Sequence, residues 1–388
     1  MATKDIIHYS MDEIDKKGAL INIIWGERSN GKSWQVKHKK GIFNYLYNTE
    51  SYYTDYNTKE IIKETIKKGT RFILMRRWKE EITTEKIEKY IADVYINTLT
   101  DGEYNCITMY RKTLYLSKYN YETCKTTRYD VIGYVVALST EQNYAGASYL
   151  DVSDIIFEEF MSRSIYLADE PTKLINFWST VDRQKGKVRM WLVGNTISRV
   201  CPYLTDWELQ GIISRQKQGE IICKWMNTGD FDKETGKEIL IKLAIEYCKS
   251  NGRTSFAIGK HKDMINKGDW QSDPQPHLPK SKKCYKILYR MIFQFQSFKF
   301  MAEYLVDKET YDNVWFIYPY DKKISDKILV ISDEIKPSPY WQRNIYDLSL
   351  KNERVKNLCK TFRENKIFYA TDLCGTDFKQ VIDFDIKK

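Results

Sequence analysis

Four histidines and eight scattered cysteines are all that this 388-residue chain offers to a soft transition metal. No two cysteines form a Cys-x-x-Cys pair, so a zinc site is not expected. The thiols read as reduced, mostly buried groups of a cytosolic protein. No apolar stretch approaches the roughly 20 residues needed to span a bilayer. The opening Met1-Ala2-Thr3-Lys4-Asp5 lacks the apolar core of a secretion signal. These absences exclude a zinc-built fold and a helical membrane protein, and the expectation is a soluble, intracellular chain with no membrane partner. Internal repeats and long low-complexity tracts are missing too.

What is present is a globular composition with a basic excess. Hydrophobic residues make up 42% of the chain, enough to pack cores rather than leave it disordered. The length exceeds one ordinary core and predicts two domains, with room for a connecting module. Lysine and arginine number 62 against 52 acids, a net charge of +10 that points to a polyanionic partner without naming it. The 29 tyrosines read mainly as half-buried strand residues rather than base-stacking platforms.

One segment carries specific chemistry. Gly26-Glu27-Arg28-Ser29-Asn30-Gly31-Lys32-Ser33 fits G-x-x-x-x-G-K-[ST], the pattern of a phosphate-binding loop. The apolar run Leu20 to Trp25 before it reads as a buried strand, and Trp34 to His38 after it can open a helix. Glycines let backbone N–H groups close around phosphate oxygens, and the helix N-terminus adds its positive dipole end. Lys32 can reach the β- and γ-phosphates, and the Ser33 hydroxyl can bind Mg²⁺. The segment predicts binding of a nucleoside triphosphate with Mg²⁺.

The first half alternates strands with helical or loop segments. Lys59 to Lys68 has helical periodicity, and Phe72 to Met75 is a strand ending in the basic tip Arg76-Arg77-Trp78-Lys79. Three β-rich runs between Asp101 and Thr140 suggest an antiparallel insertion. Asp154 to Glu159 and Val188 to Asn195 are short buried strands with polar residues at their C-terminal ends, where ligands collect in an open parallel sheet. Residues 1–228 are therefore expected to form an α/β nucleotide-binding domain. Asp232 to Lys249, with Ile239, Leu240, Leu243, Ala244 and Tyr247 at helical spacing, predicts an amphipathic helix in a linker region over 229–280. The prolines and lysines between Gly268 and Lys283 mark a boundary. Beyond it, three strand-like runs between Tyr285 and Ile331 and a helix over Lys351 to Glu364 predict a small α+β domain over 281–388.

Glu158 and Glu159 follow an Ile-Ile-Phe strand, where a hydrolysing phosphate-loop enzyme places its acidic pair. Glu158 would serve the metal, with Asp154 a weaker alternative, and Glu159 would orient or deprotonate the attacking water. Strand alternation would send the two side chains to opposite faces, so the chain has to turn at this point. An acid beside the metal-binding acid favours water as the nucleophile, hence a hydrolase over a small-molecule kinase. Arg183, in the basic loop Asp182 to Arg189, is a candidate for charge stabilisation in a neighbouring subunit's site, with a solvated basic loop as the equal alternative. Asn195 and Thr196, ending the next strand, could sense the γ-phosphate or the water; a satisfied strand-end amide is the plainer reading.

In order and spacing these pieces resemble the DNA encapsidation proteins, the packaging ATPases of small podoviruses with protein-primed linear genomes. The matching stretches are the phosphate loop, Phe72 to Glu80, Ile155 to Phe160, Thr180 to Arg183, Leu192 to Ser198, and Pro202-Tyr203. They cover roughly the first two hundred residues. The resemblance implies an additional-strand, catalytic-glutamate ATPase domain working as a homo-oligomeric ring, a pentamer, on a phage portal in the host cytoplasm. It implies that Arg183 acts in trans, and that Arg76, Arg77 and Lys79 lie near the subunit interface and the nucleotide. Double-stranded DNA and the procapsid are the implied partners, with a packaging RNA as a further candidate. Arg163 and Lys217 are candidates for salt-sensitive phosphate contacts.

Terminase large subunits, the larger relatives, carry an RNase H-like nuclease whose clustered acids hold two metals. The run Tyr285 to Phe293 contains no acid, and Asp321, Asp333 and Glu334 do not by themselves make a cluster. The C-terminal domain is therefore expected to be RNase H-like without cleavage activity, its Lys280, Lys282 and Lys283 suited to hold DNA, procapsid or RNA. A nuclease-active terminase, a helicase and a non-hydrolysing scaffold are the competing readings. A transporter ATPase is disfavoured because no Leu-Ser-Gly-Gly-Gln signature occurs.

Overall fold

The computed structural model describes residues 9–386 except 56–57, 145, 147, 150, 163–165, 184, 197–198, 233–235, 250–271, 296–297, 326, 333–335, 339 and 343–352. Arg163, Ile197, Ser198, Asp333 and Glu334 thus lie outside the described residues, as does much of the expected linker. The chain divides into two compact units, Met1–Ile197 with Ile212–Asp269, and Ser198–Gly211 with Trp270–Lys388.

The first unit is built on a nine-stranded sheet. Its strands are β1 (Ile21–Gly26), β4 (Arg71–Arg76), β5 (Cys106–Tyr110), β6 (Thr113–Asn120), β7 (Lys125–Ala137), β8 (Val152–Glu158), β9 (Arg189–Asn195), β10 (Ile221–Phe231) and β11 (Glu238–Tyr247). The order is β10-β11-β1-β9-β8-β4-β7-β6-β5. The six central strands from β11 to β7 run parallel, with β10 antiparallel on one flank and β6 and β5 antiparallel on the other. Strands β1 and β8 are buried along their whole length. That fits their near-continuous apolar runs, since a parallel sheet covered on both faces needs no polar alternation. The helices of this unit are α1 (Asp12–Asp15), α2 (Lys32–Val36), α3 (Phe43–Leu46), α4 (Thr84–Ile91), α5 (Ile96–Leu99) and α6 (Glu170–Asp182). A π-helical stretch, Lys37–Ile42, joins α2 to α3.

Two expectations are corrected. The helix expected within 59–68 is strand β3 (Ile61–Ile66), paired antiparallel with β2 (Thr49–Thr54). Four of its six residues are β-branched, a composition that favours the pleated conformation. The amphipathic linker helix expected over 232–249 is instead the second arm of a hairpin, in which β11 lies parallel to β1 with Leu243 opposite Ile21. Its run of Ile239, Leu240 and Ile241 satisfies a two-sided strand as well as a helix, and burial beside β1 decides in favour of the strand.

The second unit has a six-stranded sheet. Its strands are β12 (Tyr285–Phe295), β13 (Phe298–Asp307), β14 (Asn313–Pro319), β15 (Leu329–Ser332), β16 (Trp341–Gln342) and β17 (Lys366–Tyr369). The order is β16-β15-β12-β13-β14-β17. β12 to β14 form an antiparallel meander, while β15, β16 and β17 add parallel to their neighbours. The short helices α7 (Pro202–Asp206) and α8 (Gln210–Ile213) precede it in the chain, and α9 (Glu353–Glu364) and α10 (Asp372–Ile386) follow the meander. Phe293, Trp315, Phe362 and Phe378 pack together in its core. No described helix of either unit is long and apolar enough to cross a membrane.

Candidate nucleotide site

The register aligns the C-terminal ends of β1, β9, β8 and β4. Gly26 stands opposite Asn195, Glu158 opposite Val193, and Met75 opposite Phe157. This edge of a parallel sheet receives ligands because helix N-termini point toward it. The loop leaving β1 bends through positive φ at Ser29 (60°) and Gly31 (96°), and Gly31 caps α2. A Cβ at Gly26 would lie 3.1 Å from that of Cys248, so the residue that ends β1 also has to be small.

Lys32 is buried, and its Nζ donates to the Glu27 carbonyl, to Asn30 Oδ1 (3.2 Å) and to Asn195 Oδ1 (3.3 Å). Burial pushes its pKa down, and the three oxygens supply polar partners for its ammonium. The Ser33 hydroxyl donates to Glu158 Oε2 at 2.8 Å. Burial pushes the Glu158 carboxyl pKa up, and hydrogen bonds from Tyr90 and Ser33 act against that shift. Glu158 and Ser33 thus present oxygen donors side by side, the donor type that suits a hard divalent cation such as Mg²⁺.

Glu159 departs from the strand. Its φ of 57° turns the chain, so its side chain is 60% exposed instead of following β8. Arg76, ending β4, donates Nη2 to Glu159 Oε2 at 3.0 Å. The next residue, Arg77, turns inward. Its Nε bonds both carboxylate oxygens of buried Glu170, and its two terminal nitrogens donate to the carbonyls of Glu159 (3.3 Å) and Phe160 (2.6 Å). The turn that presents Glu159 is therefore fastened to β4 from behind.

The structure brings together Gly26 to Ser33, Glu158, Glu159, Arg76 and Asn195, with Arg28 and Ser29 on the exposed crest of the loop and Glu27 buried beneath it. It separates Arg183 from them. Arg183 ends α6 and precedes β9, which places it at the opposite, N-terminal edge of the sheet. The seven residues of β9 span about 23 Å at the usual rise. Asp182 shapes this loop by accepting from the backbone N–H groups of Gly186 (2.7 Å), Lys187 (2.8 Å) and Val188 (2.8 Å). Asp154 is removed from the metal candidates. It is fully buried, bonded to Arg189 (3.0 Å), Trp191 (2.8 Å) and Asn44 (2.9 Å), and lies four residues back along β8.

In the second unit, Lys280 pairs with Asp307 (3.0 Å) and Glu309 (2.7 Å), and Lys282 pairs with Glu303 (2.5 Å), so these lysines are engaged by acids within the fold. No group of three metal-ligating side chains occurs among the described residues. Lys217 is exposed beyond α8. The sequence does not mark Tyr90, Glu170 or Asp182 as site-shaping residues, and it marks Arg77 only as part of the basic tip near the nucleotide, not as the buried partner of Glu170. Only Asp182 had a local signal, a short acid at a helix end before a glycine-containing loop.

The chain is similar to known proteins in sequence and in fold. Residues 33–274 match the family model described as podovirus DNA encapsidation protein (Gp16). The chain is 26% identical over 206 residues to the DNA packaging protein of Bacillus phage phi29, covering 52% of this chain and 51% of that protein. It is 25% identical over 223 residues to the DNA packaging protein of Bacillus phage B103, covering 56% and 58%. The chain thus spans about half the length of the curated relatives it matches. A solved structure of the bacteriophage phi29 viral genome packaging motor assembly aligns over 98% of both chains with a TM-score of 0.50 and 18% identity, a likeness of fold. The family model covers well over half of the sequence, and the chain belongs to the podovirus DNA encapsidation protein (Gp16) family.

Proposed function

We propose that this chain is an ATP-hydrolysing motor subunit that moves double-stranded viral DNA into a preformed procapsid. The observation that carries the reading is the pairing of Ser33 with Glu158 beside an outward-turned Glu159. A loop that only held nucleotide would need no acid aimed past the metal ligands. In this reading Gly26 to Ser33 cradle the phosphates, and Lys32 exchanges its loop carbonyl for phosphate oxygens. Ser33 and Glu158 hold Mg²⁺, which when bound neutralises charge on the β- and γ-phosphates. Glu159 accepts a proton from the attacking water, and Asn195 orients the γ-phosphate side. One strand, β9, lies between β1 and the acidic strand β8, the order that an additional-strand, catalytic-glutamate ATPase would have.

Arg183 cannot reach the phosphates of its own subunit from the far edge of the sheet, which supports a role in trans within a homo-oligomeric ring. A pentamer on the phage portal, in the host cytoplasm, is the assembly we propose, with a packaging RNA as a candidate partner. In the second unit five of the six strands, β16-β15-β12-β13-β14, follow an order that an RNase H-like domain would have, with β17 added beyond β14, and the meander strand β12 carries no acid. Both features favour a nuclease-like fold without cleavage activity.

The test is steady-state ATP hydrolysis with and without double-stranded DNA for wild type, Glu159→Gln and Arg183→Ala, alone and mixed with wild type. Both variants are expected to bind ATP without turning it over, and Arg183→Ala is expected to poison wild-type partners. Normal turnover by Glu159→Gln would remove the catalytic assignment. A wild type that never hydrolyses ATP in any assembly would leave the scaffold reading.

A further inference from the structure

Opposite Ser33, the second oxygen of Glu158 has its own partner. The Tyr90 hydroxyl donates to Glu158 Oε1 at 2.7 Å, from a residue 68 positions earlier in the chain. A phenol hydroxyl is a donor and the ionised carboxylate only an acceptor, so the proton of this bond belongs to Tyr90. Tyr90 is itself held. Lys37, in the helical stretch that follows the phosphate loop, donates Nζ to the Tyr90 carbonyl at 2.7 Å, pairs with Asp93 and lies 4.3 Å from the centre of the Tyr90 ring. A cation at this carbonyl also complements the C-terminal end of α4. At the other side α4 is tied to the flank of the sheet, since Glu88 Oε1 accepts from the Met109 N–H of β5 at 2.8 Å.

We propose that Tyr90 is a positioning residue for the metal-binding carboxylate. It fixes the plane of Glu158 so that Oε2 stays beside Ser33, and Lys37 fixes Tyr90 in turn. This deepens the nucleotide-hydrolase reading and rests on it. A Glu side chain keeps broad freedom about its last torsion, and a hydrogen bond to each oxygen removes that freedom. Without the Tyr90 hydroxyl, Oε1 is left in a buried setting on which the cations Arg76, Lys37 and Lys32 act electrostatically. The carboxylate can then rotate toward them and away from Ser33. Loss of such an outer partner typically weakens metal affinity by about 10–100-fold. The same contact links α4, and through it the β5 side of the sheet, to the metal ligands.

The experiment measures binding of a fluorescent ATP analogue to the full chain, once in EDTA and once in excess Mg²⁺, for wild type, Tyr90→Phe and Lys37→Met. Thermal melts show that each variant is folded. Wild type should bind more tightly with Mg²⁺. Tyr90→Phe should bind the metal-free analogue as wild type does but lose about tenfold or more of the Mg²⁺ enhancement, with Lys37→Met falling between. In hydrolysis, the half-saturating Mg²⁺ concentration should rise by more than kcat falls. A folded Tyr90→Phe with the wild-type enhancement overturns the proposal, and should that variant not fold, a folded Lys37→Met with wild-type enhancement does the same. A wild type with no Mg²⁺ enhancement overturns the underlying hydrolase reading instead.

Discussion

Ser33 and Glu158, 125 residues apart in the chain, meet across 2.8 Å at the C-terminal edge of the parallel sheet. Replacing Glu158 with Gln preserves shape but removes the charge that would face a divalent cation. Its amide can also present N–H to the Ser33 oxygen instead of accepting from it. Single-turnover hydrolysis by Glu158→Gln is expected to fall by about 10²–10³-fold, in line with loss of one electrostatic stabiliser. Quench-flow measurement at saturating ATP and Mg²⁺ checks this, and a loss under threefold would mean that the carboxylate does not serve the metal.

The Arg77–Glu170 pair predicts an effect on hydrolysis from a residue that touches no substrate. Both side chains are buried, and the guanidinium also holds the carbonyls of Glu159 and Phe160. Removing the charge of Glu170 takes a buried carboxylate from Arg77, and breaking such a buried pair costs about 3–5 kcal/mol. Glu170→Gln should lower the urea midpoint and slow turnover by releasing the Glu159 turn. Unfolding curves and steady-state hydrolysis, run on the same preparation, separate the two effects. A variant that is destabilised yet hydrolyses normally would show that the turn is held by other contacts.

The parts of the site that were legible in the sequence are those written locally. Gly26 to Ser33 has its chemistry in eight consecutive residues, and the Glu158-Glu159 pair implies a turn because alternation forbids a shared face. The structure supplies that turn at Glu159. The Tyr90–Glu158 and Arg77–Glu170 contacts are invisible in the sequence because the partners lie 68 and 93 positions apart, and no short-range pattern encodes such contacts. β11 was misread for a different reason. Its apolar residues fit both a 3.6-residue and a 2-residue period, and only the free flank of β1 selects the strand. β3 shows the complementary failure, in which a charged, partly periodic stretch looked helical while its isoleucines and threonine paired with β2.

The loop carrying Arg183 should be separable from the subunit's own nucleotide site. Asp182 accepts three backbone hydrogen bonds, so Asp182→Ala strands three N–H groups and costs about 2–3 kcal/mol locally. Nucleotide binding by isolated subunits should stay at the wild-type level, because the loop lies at the far edge of the sheet. On the proposed role of Arg183 in trans, DNA-stimulated hydrolysis by assemblies should fall, since that arginine would lose its fixed setting. Titrating ATP binding against assembled activity checks the split. Equal losses in both would place the loop at its own subunit's phosphates.

Glu246 on β11 sits beside the phosphate loop's strand, opposite Ile24 of β1, and accepts from the Tyr9 hydroxyl at 2.7 Å. Burial lifts its carboxyl from 4.5 to about 7, with Glu13 adding to the rise and Tyr9 and Lys249 opposing it. An unfolded chain returns the group to its ordinary value, so between pH 4.5 and pH 7 the folded state holds the extra proton. Stability from this group is then fully present below pH 4.5, falls as pH rises through the window, and is flat above pH 7. The shift corresponds to about 3 kcal/mol. Glu246→Gln cannot ionise and keeps an oxygen to accept from Tyr9, so it should match wild type at low pH and exceed it in stability at about pH 8 by an amount of that order. Urea unfolding of both proteins across this range reads the difference directly, with all other titrating groups in common. A difference that stays constant across that range would mean that Glu246 ionises in the fold as it does in the open chain.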